Sequence, residues 1–345
     1  MSPRKKEVLS AVTATADSSP EYYSSSTLPE KSLRERIHPL AKFFLVVTSS
    51  LALSALCFSF TSGATLDQLR KVSRHLEAWW EVGGLTMWRA VEIGLAWILG
   101  FDRKDVTSFM FLTHLPTYAL LLAFYNIRPT TVMVSYAIIL FSTSVPFVLL
   151  RKPTSIHDLS HTPSNGVNNR TILQDGPTKL FTTVAAISIF TVALYLSFAT
   201  WLPTQLALHF ANIPDISAAN AGPACLPALF LALIPAGASA RDFIFDSSTG
   251  ALSKDIKLSE EPSEGEYLVH AIYRKTWGSL SAKTRVLVAR TAILATTLFG
   301  NTLVQLAGTI AGVSLQGAVA WASIWASAVL VIGAMFCWVE AVKGV

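Results

Sequence analysis

Leu85-Thr86-Met87-Trp88-Arg89-Ala90-Val91-Glu92-Ile93-Gly94-Leu95-Ala96-Trp97-Ile98-Leu99-Gly100 is the stretch on which the fold of this chain turns. It is apolar enough to enter a bilayer, yet it is short and carries an arginine and a glutamate one helical turn apart. A membrane span needs about 20 residues of helix, and a charge at its centre costs about 2.5–3.5 kcal/mol on insertion scales. Whether this stretch crosses sets the side of every residue that follows.

The surroundings are those of a membrane protein. Of 345 residues, 52% are hydrophobic and only 14% charged, against about 25% charged in soluble domains. Apolar runs at 40–61, 106–125, 130–150, 180–201, 223–243, 288–312 and 317–339 each approach the length of a bilayer core. With 85–100 included, the sequence predicts an all-α bundle of about eight transmembrane helices over 39–345.

Charge placement decides for eight. If all eight runs cross and the N-terminal tail is cytosolic, 22 of the 27 Lys and Arg lie on the cytosolic side, from the seven up to Lys42 through the 151–179 and 241–290 loops to Lys343. The far side keeps Arg70, Lys71, Arg74 and Arg128, with Arg89 inside the second span. If 85–100 stays out, the counts become 8 cytosolic and 19 far. The positive-inside rule favours eight spans with both termini cytosolic.

Residues 1–38 are rich in Ser and Thr, lack apolar periodicity and read as a disordered cytosolic tail. The first apolar run starts too late for a cleaved signal peptide, and Glu7, Asp17, Glu21 and Glu30 argue against a mitochondrial presequence. Between the first two spans, Thr65 and Gln68 fit a capping box. Leu66, Leu69, Leu76 and Trp80 then share one face, which predicts an amphipathic helix over 65–81 at the headgroups or packed on the bundle. Residues 244–286 read as a solvated cytosolic loop. Leu122-Ala123-Phe124 with Pro129 resembles Leu196-Ser197-Phe198 with Pro203, which chance similarity between apolar helices explains.

Chemistry is sparse. Cys57, Cys225 and Cys337 fall in apolar runs without a pairing pattern, so neither disulfide nor zinc site is expected. His157 and His161 stand four apart but read as a solvated loop pair. Asp242 and Asp246 flank Phe-Ile-Phe without the further acids and glycines of a metal-dependent lipid-phosphate site. No phosphate loop, nucleophile elbow or dinucleotide-binding glycine pattern occurs. No catalytic residue, metal or cofactor is therefore assigned. The ligand or pathway candidates are Arg89 and Glu92, as ionisable groups in a span, with Asn301 and Gln305, which share one stripe of the seventh span with Gly308 and Gly312. That stripe predicts a tight hairpin between spans seven and eight.

The function expected from these residues is that of a non-enzymatic membrane factor or scaffold of the secretory pathway, most simply the endoplasmic reticulum. A small-solute or ion carrier using Arg89, Glu92, Asn301 and Gln305 is the first alternative, and a lipid-modifying enzyme the second. Expected partners are the lipid bilayer and other membrane proteins, met through spans seven and eight or the 244–286 loop. No basic stripe suggests nucleic acid.

Overall fold

A computed structural model describes residues 38–158, 169–220, 222–250, 277–278 and 280–343. The tail reading for 1–38, apart from His38, with His161 and most of the 244–286 loop, falls outside these. The described residues form an all-α bundle without strands. The long helices are α1 (Pro39–Phe60), α3 (Trp79–Ile98), α4 (Arg103–Phe124), α5 (Pro129–Leu150), α7 (Gly176–Ala199), α12 (Ala282–Thr309) and α13 (Leu315–Lys343). Shorter ones are α2 (Ser62–Val72), α6 (Arg170–Gln174), α8 (Leu202–His209), α9 (Leu226–Ala232), α10 (Ile234–Ala240) and α11 (Ser247–Thr249).

Among the described residues, six helices (α1, α4, α5, α7, α12 and α13, without α3) are long and apolar enough to cross a membrane, or seven if α9 with α10–α11, bent by 53°, counts as one broken span. The run at 223–243 is thus not one straight helix. Pro235 has no N–H for the preceding turn, and the chain breaks at Leu233 before resuming. It widens into a π-helical turn at Arg241–Asp246 and stays helical to Thr249, so Asp242 and Asp246 lie in helix rather than loop.

Helix starts follow local chemistry. The Asp102, Asp175 and Ser281 side chains accept from the backbone N–H three residues on and cap α4, α7 and α12. Pro129 opens α5, where a missing N–H costs nothing.

The amphipathic helix predicted at 65–81 is corrected. It begins at Ser62, and Thr61 makes no capping bond at its start. Gln68 does not close a box; its Oε1 accepts from Arg128 N at 3.0 Å and Thr131 Oγ1 at 3.3 Å, at the start of α5. The helix stops at Val72 because the next backbone pairs elsewhere. Arg74 N donates to the Thr309 carbonyl at 2.7 Å, and Ala311 N to the Val72 carbonyl at 2.9 Å. Trp79 and Trp80, both exposed, then open α3.

The path of α3 follows from its neighbours. Arg74, five residues before α3, pairs with Thr309 at the end of α12, and just after its exit Phe101 lies under the Arg290 guanidinium, near the start of α12. Those two points are about 28 Å apart along the helix at 1.5 Å per residue, close to the 30 Å hydrocarbon core. Leu85 lies against Gly308, and Trp88 against Gly300. The first half of α3 therefore meets the second half of α12 in an antiparallel sense.

The α12–α13 hairpin exists, but its predicted seam is corrected. Gly308 faces Leu85 of α3, and Gly312 sits in the turn against Asn212. The close approach is between Gly333 and Thr291, where a Cβ would lie 2.3 Å from the Thr291 methyl. Both the Thr291 methyl and its hydroxyl face Gly333, and the hydroxyl is satisfied there by its bond back to the Leu287 carbonyl at 2.8 Å.

Candidate functional site

Four helices converge on a buried polar cluster. Arg89 Nη1 on α3 lies 3.0 Å from Glu92 Oε2, the spacing that one helical turn imposes. The other arm of the guanidinium reaches α5, donating to Thr143 Oγ1 and, at 3.4 Å, to the Ile139 carbonyl. His114 of α4 stands 2.8 Å from Arg89 Nη1 and 3.4 Å from Glu92 Oε2. From α12, Asn301 accepts from Trp88 Nε1 at 3.1 Å and donates to the Thr113 carbonyl at 3.1 Å. The indole is donor-only, so it orients the amide with its nitrogen toward Thr113 and His114.

Two polar atoms in this region remain unmet. Glu92 Oε1 is buried without a partner, and so is Thr117 Oγ1. Thr113, Thr143, Thr191, Thr291 and Thr302 each bond back to the carbonyl four residues earlier. For Thr117 that carbonyl is Thr113, which Asn301 already occupies. Thr117 lines a cleft of about 290 Å³ with His114, Tyr118, Gln305, Ser73 and Thr309. Arg89, Glu92 and Asn301 are thus one cluster, and Gln305 borders the cleft above it.

A second cluster gathers at the opposite edge. Asp105 receives Arg290 end on, Nη1 to Oδ1 at 2.7 Å and Nη2 to Oδ2 at 2.9 Å, while Ser247 Oγ donates to Oδ1 at 3.1 Å. The Arg290 guanidinium also stacks over Phe101 and Phe243. Asp102 Oδ1 accepts from Asp105 N, and Oδ2 accepts from Thr154 N at 3.0 Å and lies 2.7 Å from His157 Nδ1. Arg151 donates to the Phe101 and Trp97 carbonyls, both at 2.8 Å. The loops at 101–105 and 151–158 and the starts of α11 and α12 are tied together here.

Burial pushes the Asp102 carboxyl up, but the His157 hydrogen bond and the two backbone N–H groups outweigh it and hold the acid well below the usual carboxylate range. Burial lowers His157, and its bond to Asp102 with the charges of Asp102 and Asp105 overrides this and raises it. The expectation of a solvated histidine is corrected for His157, whose side chain is only 8% exposed.

Donor atoms of Asp102, Asp105 and His157 lie within 4.8 Å of one another. Their lone pairs already face Arg290, Ser247, two backbone N–H groups and each other, so the set is a hydrogen-bonded knot. At Asp242 and Asp246 one guanidinium faces both carboxylates, Arg241 Nε lying 2.9 Å from Asp242 Oδ1 and 3.8 Å from Asp246 Oδ2. That arrangement does not present two free carboxylates to a cation.

The stretch from the cap of α7 into the second half of α12 is similar to a known family. Residues 175–304 match the family model of the bouquet formation protein 3 C-terminal domain. The match covers Asp242, Asp246, Arg290 and Asn301, and it leaves out Arg89, Glu92 and His114. No curated protein and no solved structure matches the chain.

Sequence reasoning missed His114, Thr143, Asp105 and Arg290. His114 offered a signal as a lone imidazole inside a strongly apolar run. Asp105 and Arg290 are 185 positions apart, and nothing local pairs them.

Proposed function

We propose that this protein is a non-enzymatic multi-pass membrane factor, an assembly or scaffold component of the bouquet-formation type. The observation that carries this is the pairing of most of its buried charges within the chain, with Glu92 Oε1, Asp246 Oδ1 and the Glu340 carboxylate left unmet. Arg89, Asp102, Asp105, Arg290 and Arg241 each spend their charge on another group of the same chain, which builds a rigid bundle rather than a reaction centre. The likeness of residues 175–304 to a bouquet formation protein domain agrees with that reading.

In this proposal the chain crosses eight times, with α3 as the second crossing and the termini cytosolic, in the endoplasmic reticulum or a membrane continuous with it. Support comes from the passage of α3 alongside α12 and from Lys104, Arg151 and Arg290 meeting at one edge, the edge that carries the basic loops. Blue-native electrophoresis after mild solubilisation, with chemical crosslinking, tests the function. A complex heavier than the monomer that carries a second membrane protein is expected. A lone monomer that exchanges labelled solute in proteoliposome counterflow overturns it.

The carrier reading keeps one specific observation, the cleft that leads through Thr117 and His114 to the Arg89–Glu92 pair. The same counterflow measurement decides it.

A further inference from the structure

The cleft of about 290 Å³ that reaches His114 lies between five helices, lined among others by Phe58 of α1, Leu69 of α2, Thr117 of α4, Ile139 of α5 and Gln305 of α12. Its outer end is at α2, where Arg74 N donates to the Thr309 carbonyl and Ala311 N to the Val72 carbonyl. Asn301, beside His114, stands eight residues before Thr309, about 12 Å inward along α12 at 1.5 Å per residue.

The cleft offers hydrogen-bonding groups that the chain does not use. Thr117 is 6% exposed, and its Oγ1 has no partner. Its usual acceptor, the Thr113 carbonyl, is taken by Asn301. The Gln305 amide makes no hydrogen bond to another described residue, and only its main-chain carbonyl is engaged, by Thr309 Oγ1. A buried hydroxyl without a partner is costly, so an unmet one beside a cleft points to a guest that hydrogen-bonds. Arg89 and Glu92 neutralise each other at 3.0 Å beside His114 and offer a guest no net charge. Toward the opposite edge Ile93, Met110 and Leu298 are fully buried and close the way.

We propose that this cleft is a one-ended vestibule that water fills and that binds small uncharged molecules bearing hydroxyl groups, held by Thr117 and Gln305. Its volume far exceeds the roughly 10–15 Å³ that one water needs. A hydroxyl replaces the hydrogen bonds of the water it displaces, while Phe58, Leu69 and Leu121 meet its carbons. An ion would lose its hydration with no net counter-charge to replace it. The inference goes beyond the assembly reading and does not depend on it, because a closed-ended site binds without transporting.

The test uses the full-length protein in nanodiscs, with Cys57, Cys225 and Cys337 changed to Ser, and measures thiol labelling rates. The probes are hydroxyethyl, propyl, sulfonatoethyl and trimethylammonioethyl methanethiosulfonates. Each rate is normalised to His75→Cys, an exposed position, which removes differences in intrinsic reactivity. Thr117→Cys and Gln305→Cys should react with the hydroxyethyl probe, and Thr302→Cys, at a fully buried position of α12, should not. The two charged probes should be at least about tenfold slower at Thr117→Cys. The hydroxyethyl probe should outpace its propyl isostere there about three- to tenfold, the worth of one hydrogen bond, and Gln305→Leu should remove that advantage. Leu69→Trp narrows the mouth and should slow Thr117→Cys. Size-exclusion profiles confirm that each variant is folded. The proposal is overturned if Thr117→Cys and Gln305→Cys are as inert as Thr302→Cys, if charged probes enter equally well, or if the hydroxyl gives no advantage.

Discussion

Trp88 Nε1 donates to Asn301 Oδ1 at 3.1 Å, joining α3 to α12 across 213 positions of sequence. The bond sits one residue from Arg89 and orients the Asn301 amide toward Thr113 and His114. It is where the ion-pair helix is fastened to the hairpin.

Asn301→Leu removes that acceptor and the donor to Thr113, leaving the Trp88 indole N–H unmet beside a fully buried position. Hydrogen bonds in membranes average about 0.6 kcal/mol each, and orphaned groups add to that. A loss of about 1–3 kcal/mol is expected in a reversible unfolding assay in micelles. A variant as stable as the wild type would show that the amide does not fasten α3.

Glu92→Gln leaves Arg89 without its carboxylate in a buried site and should cost more than Arg89→Gln with Glu92→Gln together. Thr143 and His114 share Arg89, so recovery in the double variant is only partial. The coupling is read as the departure of the double variant from the sum of the singles. Strict additivity of the three melting shifts would separate the two residues energetically.

Arg290 and Asp105 form a bidentate pair with Asp105 almost wholly buried. Asp105→Asn keeps the volume but leaves a buried cation, and breaking such pairs costs about 3–5 kcal/mol. Arg290→Lys should also destabilise, since an ammonium cannot reproduce the fork. Limited proteolysis should cleave both variants faster than wild type at the 151–158 and 277–281 segments. Unchanged cleavage there would refute the tie.

The Asp102–His157 contact gives stability with two pH limits. The carboxyl is depressed below its ordinary value of 3.8, so its contribution is present above that pH and lost only as pH falls further. The imidazole is raised above 6.5, so its contribution is full below 6.5 and lost as pH rises through the raised value. Asp105 acts with Asp102, and Lys104 opposes them. The melting temperature of wild type minus that of His157→Gln should therefore be largest near pH 5–6 and shrink toward pH 8.5. A difference independent of pH would exclude a charged pair.

Asn169-Arg170-Thr171 is a glycosylation sequon that the eight-span topology keeps cytosolic. Glycosidase treatment of protein made with microsomes should leave its mobility unchanged. A shift abolished by Asn169→Gln would invert the proposed orientation.

The sequence by itself determined that this is a helical membrane bundle, because length and hydropathy of a span are local properties that each run carries alone. It also located the ends of α1, α4, α5 and α7 to within a few residues, since Pro39, Asp102, Pro129 and Asp175 act on the turn beside them. The stretch at 85–100 was legible as an ion pair between Arg89 and Glu92 for the same reason. Only the tertiary structure decided what that pair touches: His114, Thr143 and Asn301 come from three other helices, and their meeting depends on packing angles that no local pattern encodes. The early stop of α2 at Val72, the Gln68 cap on α5, the Gly333–Thr291 seam and the Asp105–Arg290 fork share that origin. Each is a choice among several partners of equal local merit, made by whichever helix the folded bundle brings within reach.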